Sequence, residues 1–134
     1  MVGLGRFGKS FFFPWTRKKL GEVTSDHDLA SLGDAFVNLI CSLALSNRKG
    51  QPMGIKVKGR VLAAALRKAG LRQEMPSRMS THTLADATEA LIVYAWLNNC
   101  ISLEQSVEIL TKEKDFVQGF AKLLTAIKEE LTFP

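Results

Sequence analysis

Cysteine and histidine are scarce in this chain, which has two of each among its 134 residues. Neither histidine lies at ligand spacing from a cysteine, so a structural zinc site is not expected. Cys41 and Cys100 fall within apolar stretches of helical spacing, which predicts two buried thiols; a disulfide would require their helices to meet. No Ser–His or Cys–His pair is evident for nucleophilic catalysis.

Long uncharged apolar runs, internal repeats and low-complexity linkers are also lacking. No segment provides the roughly 20 uncharged apolar residues that a membrane span needs, so no membrane partner is expected. The apolar run 11–15 is too short for the core of a signal peptide, and basic residues follow it at once. We therefore expect a cytoplasmic protein with a single domain over residues 1–134, in which residues 1–23 form an N-terminal arm or a short helix.

The net charge of +5 is unevenly distributed. Residues 1–78 carry 14 Lys and Arg against 5 Asp and Glu, whereas residues 79–134 carry 4 against 8. One half can therefore present a basic surface to a polyanion such as a nucleic acid. The alternative is an ordinary solvated surface of mixed charge.

The spacing of apolar residues predicts an all-α protein, because no stretch alternates as a strand would. The expected helices are 15–21, a long one from the N-cap Asp26 to Ser46 or Asn47, 57–69, one from the N-cap Thr83 to Asn98, one from a Ser102–Gln105 capping box to Lys112, and 114–131. Residues 48–54 are expected to form a loop. The helix after Thr83 is apolar nearly all round, which is typical of a buried central helix.

Three acidic residues lie inside the two most apolar helices. Asp34 belongs to the first, and Asp86 and Glu89 are three apart on one face of the second. A buried ionised carboxylate is costly unless it is paired or holds a metal ion. If the two helices pack side by side, the three carboxylates converge on an oxygen-rich site suited to Mg²⁺ or Mn²⁺. Taken singly, Asp34 could instead pair with a basic neighbour, and Asp86 could complement a helix dipole.

Two neighbours of Asp34 fit such a site. Gly33 costs about 1 kcal/mol relative to alanine inside a helix, so it indicates the close approach of another backbone or a ligand. Asn38 lies one turn after Asp34 and could orient a water molecule there; a polar residue at a helix interface is the alternative.

These motifs resemble those of the ribonuclease III family. Residues 29–35 (Leu-Ala-Ser-Leu-Gly-Asp-Ala) are similar to the family's signature ending in Leu-Gly-Asp, and residues 84–92 (Leu-Ala-Asp-Ala-Thr-Glu-Ala-Leu-Ile) to its Ala-Asp-x-x-Glu-Ala-Leu-Ile motif. Ala30 stands where the standard signature has a glutamate, His27 where it has another acid, and Ser31 where it has an aromatic residue at the dimer seam. In its length and its small residue at position 30, the chain resembles the compact Mini-III branch.

The resemblance implies an all-helical homodimer that hydrolyses phosphodiester bonds of double-stranded or structured RNA with Mg²⁺ or Mn²⁺. Carried onto this chain, Asp34, Asp86 and Glu89 become the catalytic metal ligands. The alternatives are a catalytically inactive RNA-binding scaffold, which the loss of the acid at Ala30 favours, and a helical dimer that binds proteins through residues 11–15.

Basic residues are available to bind RNA phosphates in such an enzyme. The candidates are Arg48, Lys49, Lys56, Lys58, Arg60 and Arg78. Arg78, shortly before the second acidic motif, is the strongest candidate for a phosphate close to the metal. For most of them a solvated helix face is an equal alternative. For His82, near the same helix start, a capping or surface role is favoured over catalysis.

Overall fold

The computed structural model describes residues 19–131, which fold into six α-helices and one short 3₁₀ turn. No strand is found within this range, which confirms the predicted all-α class. The helices are α1 (Leu20–Thr24), α2 (His27–Lys49), α3 (Gly59–Lys68), α4 (Thr81–Leu97), α5 (Leu103–Lys112) and α6 (Phe116–Glu130), with the 3₁₀ turn at Arg72–Glu74.

Helix α4 lies at the centre of the fold, as its composition predicts. Twelve of its 17 residues are buried, and it packs against α1, α2, α3 and α6. Helix α2 lies along α4 on one side and also contacts α5, while α6 packs on α3 and α5. The two helices that carry the acidic residues are therefore direct neighbours.

The long helix α2 extends further than expected, since it continues through Arg48 and Lys49 and ends at Gly50, whose φ of 72° is left-handed. The predicted end at Ser46 or Asn47, with a loop starting at Arg48, is wrong. These polar residues do not stop the helix because their side chains have tertiary partners. The Ser46 hydroxyl accepts a hydrogen bond from the Met53 amide, and the Asn47 amide donates to Thr111.

Other helix boundaries shift by a few residues. Ser80, not Thr83, is the N-cap of α4, because its hydroxyl accepts from the Thr83 amide at 3.1 Å. The Ser102–Gln105 capping box of α5 is confirmed. Helices α3 and α6 are each shorter than predicted. The expected helix 15–21 lies mostly outside the described residues, within which α1 begins at Leu20.

The apolar character of α2 also revises one expectation. By length and composition alone α2 could cross a membrane, so the expectation that no segment qualifies was too strict. In this fold 44% of its most apolar stretch is buried inside the protein, and a single helix of this kind is weak evidence for a membrane span.

The cysteines behave nearly as predicted. Cys41 is fully buried, Cys100 is half-buried, and neither forms a disulfide. Burial raises the pKa of the Cys41 thiol to about 11, against a smaller lowering effect of Arg48. Cys41 is therefore a core thiol rather than a nucleophile.

Candidate active site

Helices α2 and α4 touch through their backbones at Gly33. A Cβ atom at this position would lie far inside van der Waals distance of the Glu89 carbonyl group and 3.0 Å from the Glu89 Cβ. The close approach that the sequence indicates for Gly33 is thus made by the backbone of α4. This crossing places Asp34, the next residue, opposite Glu89.

All three acidic residues line one cavity of about 370 Å³. Glu89 is buried, with 7% of its surface exposed, whereas the side chains of Asp34 and Asp86 are 43% and 31% exposed. The cavity is completed by His27, Ala30, Ser31, Lys56, Val57, Gly59, His82 and Ala85. The structure therefore brings together the residues that the two motifs single out, including the positions where this chain departs from the standard signature.

The carboxyl group of Glu89 is strongly perturbed. Burial contributes most, followed by its hydrogen bond to Asp34 and the negative charges of Asp34 and Asp86, and together they raise the pKa of Glu89 to about 8. Lys56 acts in the opposite direction. This carboxyl group holds its proton at neutral pH next to two other acids. A bound cation would reduce the electrostatic repulsion among the three groups.

The two exposed acids have basic neighbours. Lys56 Nζ lies 3.4 Å from Asp34 Oδ2, and His82 Nε2 lies 3.5 Å from Asp86 Oδ2. The alternative of a basic partner for Asp34 is therefore realised, although this pair is solvent-accessible. Asp86 lies in the second turn of α4, so it is poorly placed to complement the dipole at the helix start. His82 is not the cap of α4; it lies at the mouth of the cavity.

Asn38 connects the site to the chain that leads into α3. Its amide nitrogen lies 3.3 Å from Asp34 Oδ1, and its carbonyl oxygen accepts a hydrogen bond of 2.7 Å from the Val57 amide. Asn38 is therefore an interface residue that also contacts Asp34, and its predicted role in orienting a water molecule stays a prediction.

The predicted RNA-binding residues lie in three places. Lys56 lines the cavity, and Lys58 and Arg60 flank Gly59, which also lines it. Arg78 is exposed on the loop before α4, which Arg72 orders by donating to the carbonyl oxygens of residues 76 and 77. Arg48 and Lys49 lie at the opposite end of α2, about 21 Å along the helix axis from Asp34. The RNA-binding role of all six stays a prediction.

Arg48 has a structural partner that its sequence context does not reveal. Its guanidinium group donates to the carbonyl oxygens of Leu110, Thr111 and Glu113, which are the free acceptors at the end of α5. It also lies over the ring of Phe116, 4.9 Å from the centroid. Arg48 thereby joins α2 to the α5–α6 connection.

Replacing Arg48 with alanine is expected to destabilise the protein by about 2 kcal/mol, because several charge-assisted hydrogen bonds and one cation–π contact are lost. Urea denaturation followed by circular dichroism measures the change. Lys49→Ala, which removes the same charge from the next residue, is the control and should change the stability by less than about 0.5 kcal/mol. Equal effects of the two variants would show that the contacts of Arg48 contribute nothing specific.

Comparison with known protein families identifies the family of this chain. A family model described as Ribonuclease III matches residues 27–133, which is most of the chain. The chain therefore belongs to the ribonuclease III family, whose members generally use divalent metal ions. None of the curated proteins compared with the chain matches it significantly.

Proposed function

We propose that this protein is a metal-dependent endoribonuclease that hydrolyses phosphodiester bonds in double-stranded or structured RNA. The observation that carries the proposal is the convergence of Asp34, Asp86 and Glu89 on one cavity. Family membership supports the RNA substrate and the class of reaction.

The donor set suits a hard divalent cation. All three groups offer carboxylate oxygens, the ligands that Mg²⁺ and Mn²⁺ prefer, and the pKa of Glu89 is raised first by burial and then by the neighbouring acids Asp34 and Asp86. Within residues 19–131, no three His, Cys, Asp or Glu side chains are grouped closely enough to hold a metal ion as they stand. Asp34, Asp86 and Glu89 would therefore have to adjust their side chains, and Glu89 would have to lose its proton, to bind one.

A divalent cation bound there supplies Lewis acidity, which activates water and offsets the charge that develops on the phosphate. In the hydrolysis a water oxygen forms a bond to phosphorus, the bond from phosphorus to one ribose oxygen breaks, and that oxygen takes up a proton. The chain contributes the geometry: the Gly33 crossing fixes Glu89 opposite Asp34, and Asn38 holds Asp34 from the other side. Such prior fixing of groups reduces the entropic cost of reaching the transition state.

The predicted homodimer has a surface that suits it. Leu32, Leu39 and Leu43 lie on one face of α2 and are 38–48% exposed. Such a row of exposed leucines along one helix is typical of a protein–protein contact. We assign this face to a second copy of the chain.

An inactive RNA-binding scaffold is the second candidate. The Lys56–Asp34 pair favours it, because an ammonium group already partly neutralises one of the acids. Ala30 favours it too, since it contributes no carboxylate to the cavity that it lines.

Incubation with long duplex RNA separates the two candidates. We expect fragments in the presence of Mg²⁺ or Mn²⁺ and none in EDTA, with single-stranded RNA of the same sequence cut much less. Asp34→Asn should abolish cleavage, while Asp28→Asn, an exposed acid of the same helix outside the cavity, should not. Duplex binding without cleavage would favour the scaffold, and equal cleavage by both variants would point to a contaminating nuclease.

A further inference from the structure

A row of polar residues on α2 holds the segment that precedes α3. Ser46 Oγ accepts from the Met53 amide at 2.9 Å and lies 3.2 Å from the Met53 carbonyl oxygen. Ser42 Oγ makes the same pair of contacts with Ile55, at 2.9 and 3.2 Å. Asn38 continues the row with Val57. Three polar side chains, each one turn apart, thus engage alternate residues of the segment.

Helix α2 and the segment before α3 advance by similar lengths between contacts, which explains why this contact pattern can repeat. Four residues of α-helix advance about 6.0 Å, and two residues of extended chain advance about 6.6 Å. The row of Asn38, Ser42 and Ser46 therefore fixes the register of residues 53–57 against α2. A slip by one residue would remove the amide partners and expose the buried Val57.

This register places the side chain of Lys56 at the acidic cavity. Lys56 lies between the anchored residues Ile55 and Val57 and reaches Asp34. It is the sole lysine or arginine among the described residues that line the cavity. An RNA phosphate approaching three carboxylates needs a positive charge nearby, and the Lys56 ammonium group is placed to provide it.

The ion pair with Asp34 does not by itself explain this placement. The Lys56 side chain is 77% exposed, and a pair of this exposure at 3.4 Å contributes little to stability. An ammonium group has three donors, so Lys56 can leave Asp34 or contact a phosphate oxygen beside it. A weakly held cation at the edge of an acidic cavity is well suited to exchange one anion for another.

We propose that Lys56 binds the phosphate that is cleaved, and that Asn38, Ser42 and Ser46 position it there by fixing the register of residues 53–57. The inference rests on the proposed ribonuclease activity and makes it more specific. Lys56 becomes a substrate-binding residue at the reacting phosphate rather than one of several general RNA contacts. Ser42 and Ser46 act through it, whereas Asn38 also contacts Asp34 directly.

Single-turnover cleavage of a short RNA duplex, with enzyme in excess and the metal saturating, tests the role of Lys56. Lys56→Met is expected to lower the saturated rate about 100-fold, as removal of one positioned donor does at a developing charge. The affinity for the duplex, measured by fluorescence anisotropy in EDTA, should change less than about threefold, because the other phosphate contacts remain. Lys56→Arg should recover part of the rate.

Lys112→Met is the matched control, because Lys112 is equally exposed, has a comparable contact of 3.7 Å to Glu108, and lies on α5 outside the cavity. It should match the unmodified protein in rate and affinity. A Lys56→Met variant that loses affinity but keeps its saturated rate would reduce Lys56 to a general contact. Unchanged rate and affinity would overturn the proposal, and an unmodified protein that cleaves nothing would overturn the ribonuclease activity as well.

Ser42→Ala tests the positioning role, since Ser42 lies outside the cavity and holds only the segment. We expect it to lower the saturated rate about fivefold in the unmodified background and not to lower it further in Lys56→Met, because coupled residues are not additive. Circular dichroism checks that both proteins are folded. An equal reduction in both backgrounds would mean that Ser42 supports the fold in general and does not act through Lys56.

Discussion

Replacing Gly33 with alanine is expected to destabilise the protein by about 3 kcal/mol or more. In an isolated helix the same change would favour folding by about 1 kcal/mol. Here the new methyl group would collide with the Glu89 carbonyl group, which belongs to a helix backbone and cannot rotate away. The two helices would have to separate, and the packing between them, at the centre of the fold, would be lost.

Thermal and urea denaturation measure this effect, and Gly21→Ala is the matched control. Gly21 also lies in a helix, but a Cβ atom there would meet nothing within 4 Å. The control should be neutral or slightly more stable. A Gly33→Ala protein as stable as Gly21→Ala would show that the backbones of α2 and α4 are not in contact at Gly33.

The same variant has a consequence at the site. Because separation of the helices admits water to Glu89 and moves Asp34 away from it, the pKa of Glu89 should fall towards its ordinary value in any folded Gly33→Ala protein. Nuclear magnetic resonance of carboxyl-labelled glutamate measures it. The crossing therefore links the stability of the fold to the electrostatics of the acidic cavity.

The elements that follow from local chemistry could be predicted from the sequence. The apolar composition of α4 on nearly all sides and the capping box of α5 depend on residues close together in the chain, and both are confirmed. The convergence of the three acids needed only one further assumption, that the two most apolar helices pack together. Gly33 supported that assumption, because a glycine inside a long helix is costly unless something approaches it closely.

The contacts that depend on distant residues could not be predicted. Arg48 was expected on a loop because its partners on α5 are more than 60 residues away. The row of Asn38, Ser42 and Ser46 did leave a signal, since polar residues at a spacing of four interrupt an otherwise apolar helix. That signal indicates a polar partner for one side of α2 without identifying the segment 53–57. Lys56 is therefore one of six basic candidates from the sequence, among which Arg78 ranks first.

Replacing Glu89 with glutamine is expected to change stability and activity in opposite directions. The folded protein binds a proton at Glu89 up to a pH of about 8, whereas an unfolded glutamate releases it near its ordinary value. Between these values the folded state holds more protons than the unfolded state, so the free energy of unfolding falls as the pH rises. Glutamine cannot ionise, so the free energy of unfolding of the variant does not fall in this way as the pH rises. Its side chain keeps the size of glutamate.

In EDTA, Glu89→Gln should therefore match the unmodified protein near pH 4.5 and exceed it by about 2 kcal/mol at pH 8.5. This value is lower than the full shift implies, because the carboxyl group lies at the wall of an open cavity. Urea denaturation across this pH range measures the difference. The other titrating groups are common to both proteins and cancel in the comparison.

Cleavage of duplex RNA should fall at least about 1000-fold in the same variant, because glutamine supplies no negative charge to hold a divalent cation. Added Mg²⁺ or Mn²⁺ should stabilise the unmodified protein at pH 8.5 and leave Glu89→Gln unchanged, since a ligand stabilises only the state that binds it. Glu108→Gln, an exposed acid on α5, should alter none of these properties. A variant that is more stable at pH 8.5 yet inactive would show that the ionised Glu89 destabilises the fold and that its negative charge is needed for the reaction. A variant that is destabilised at pH 8.5, or that still cleaves RNA, would remove Glu89 from the proposed site.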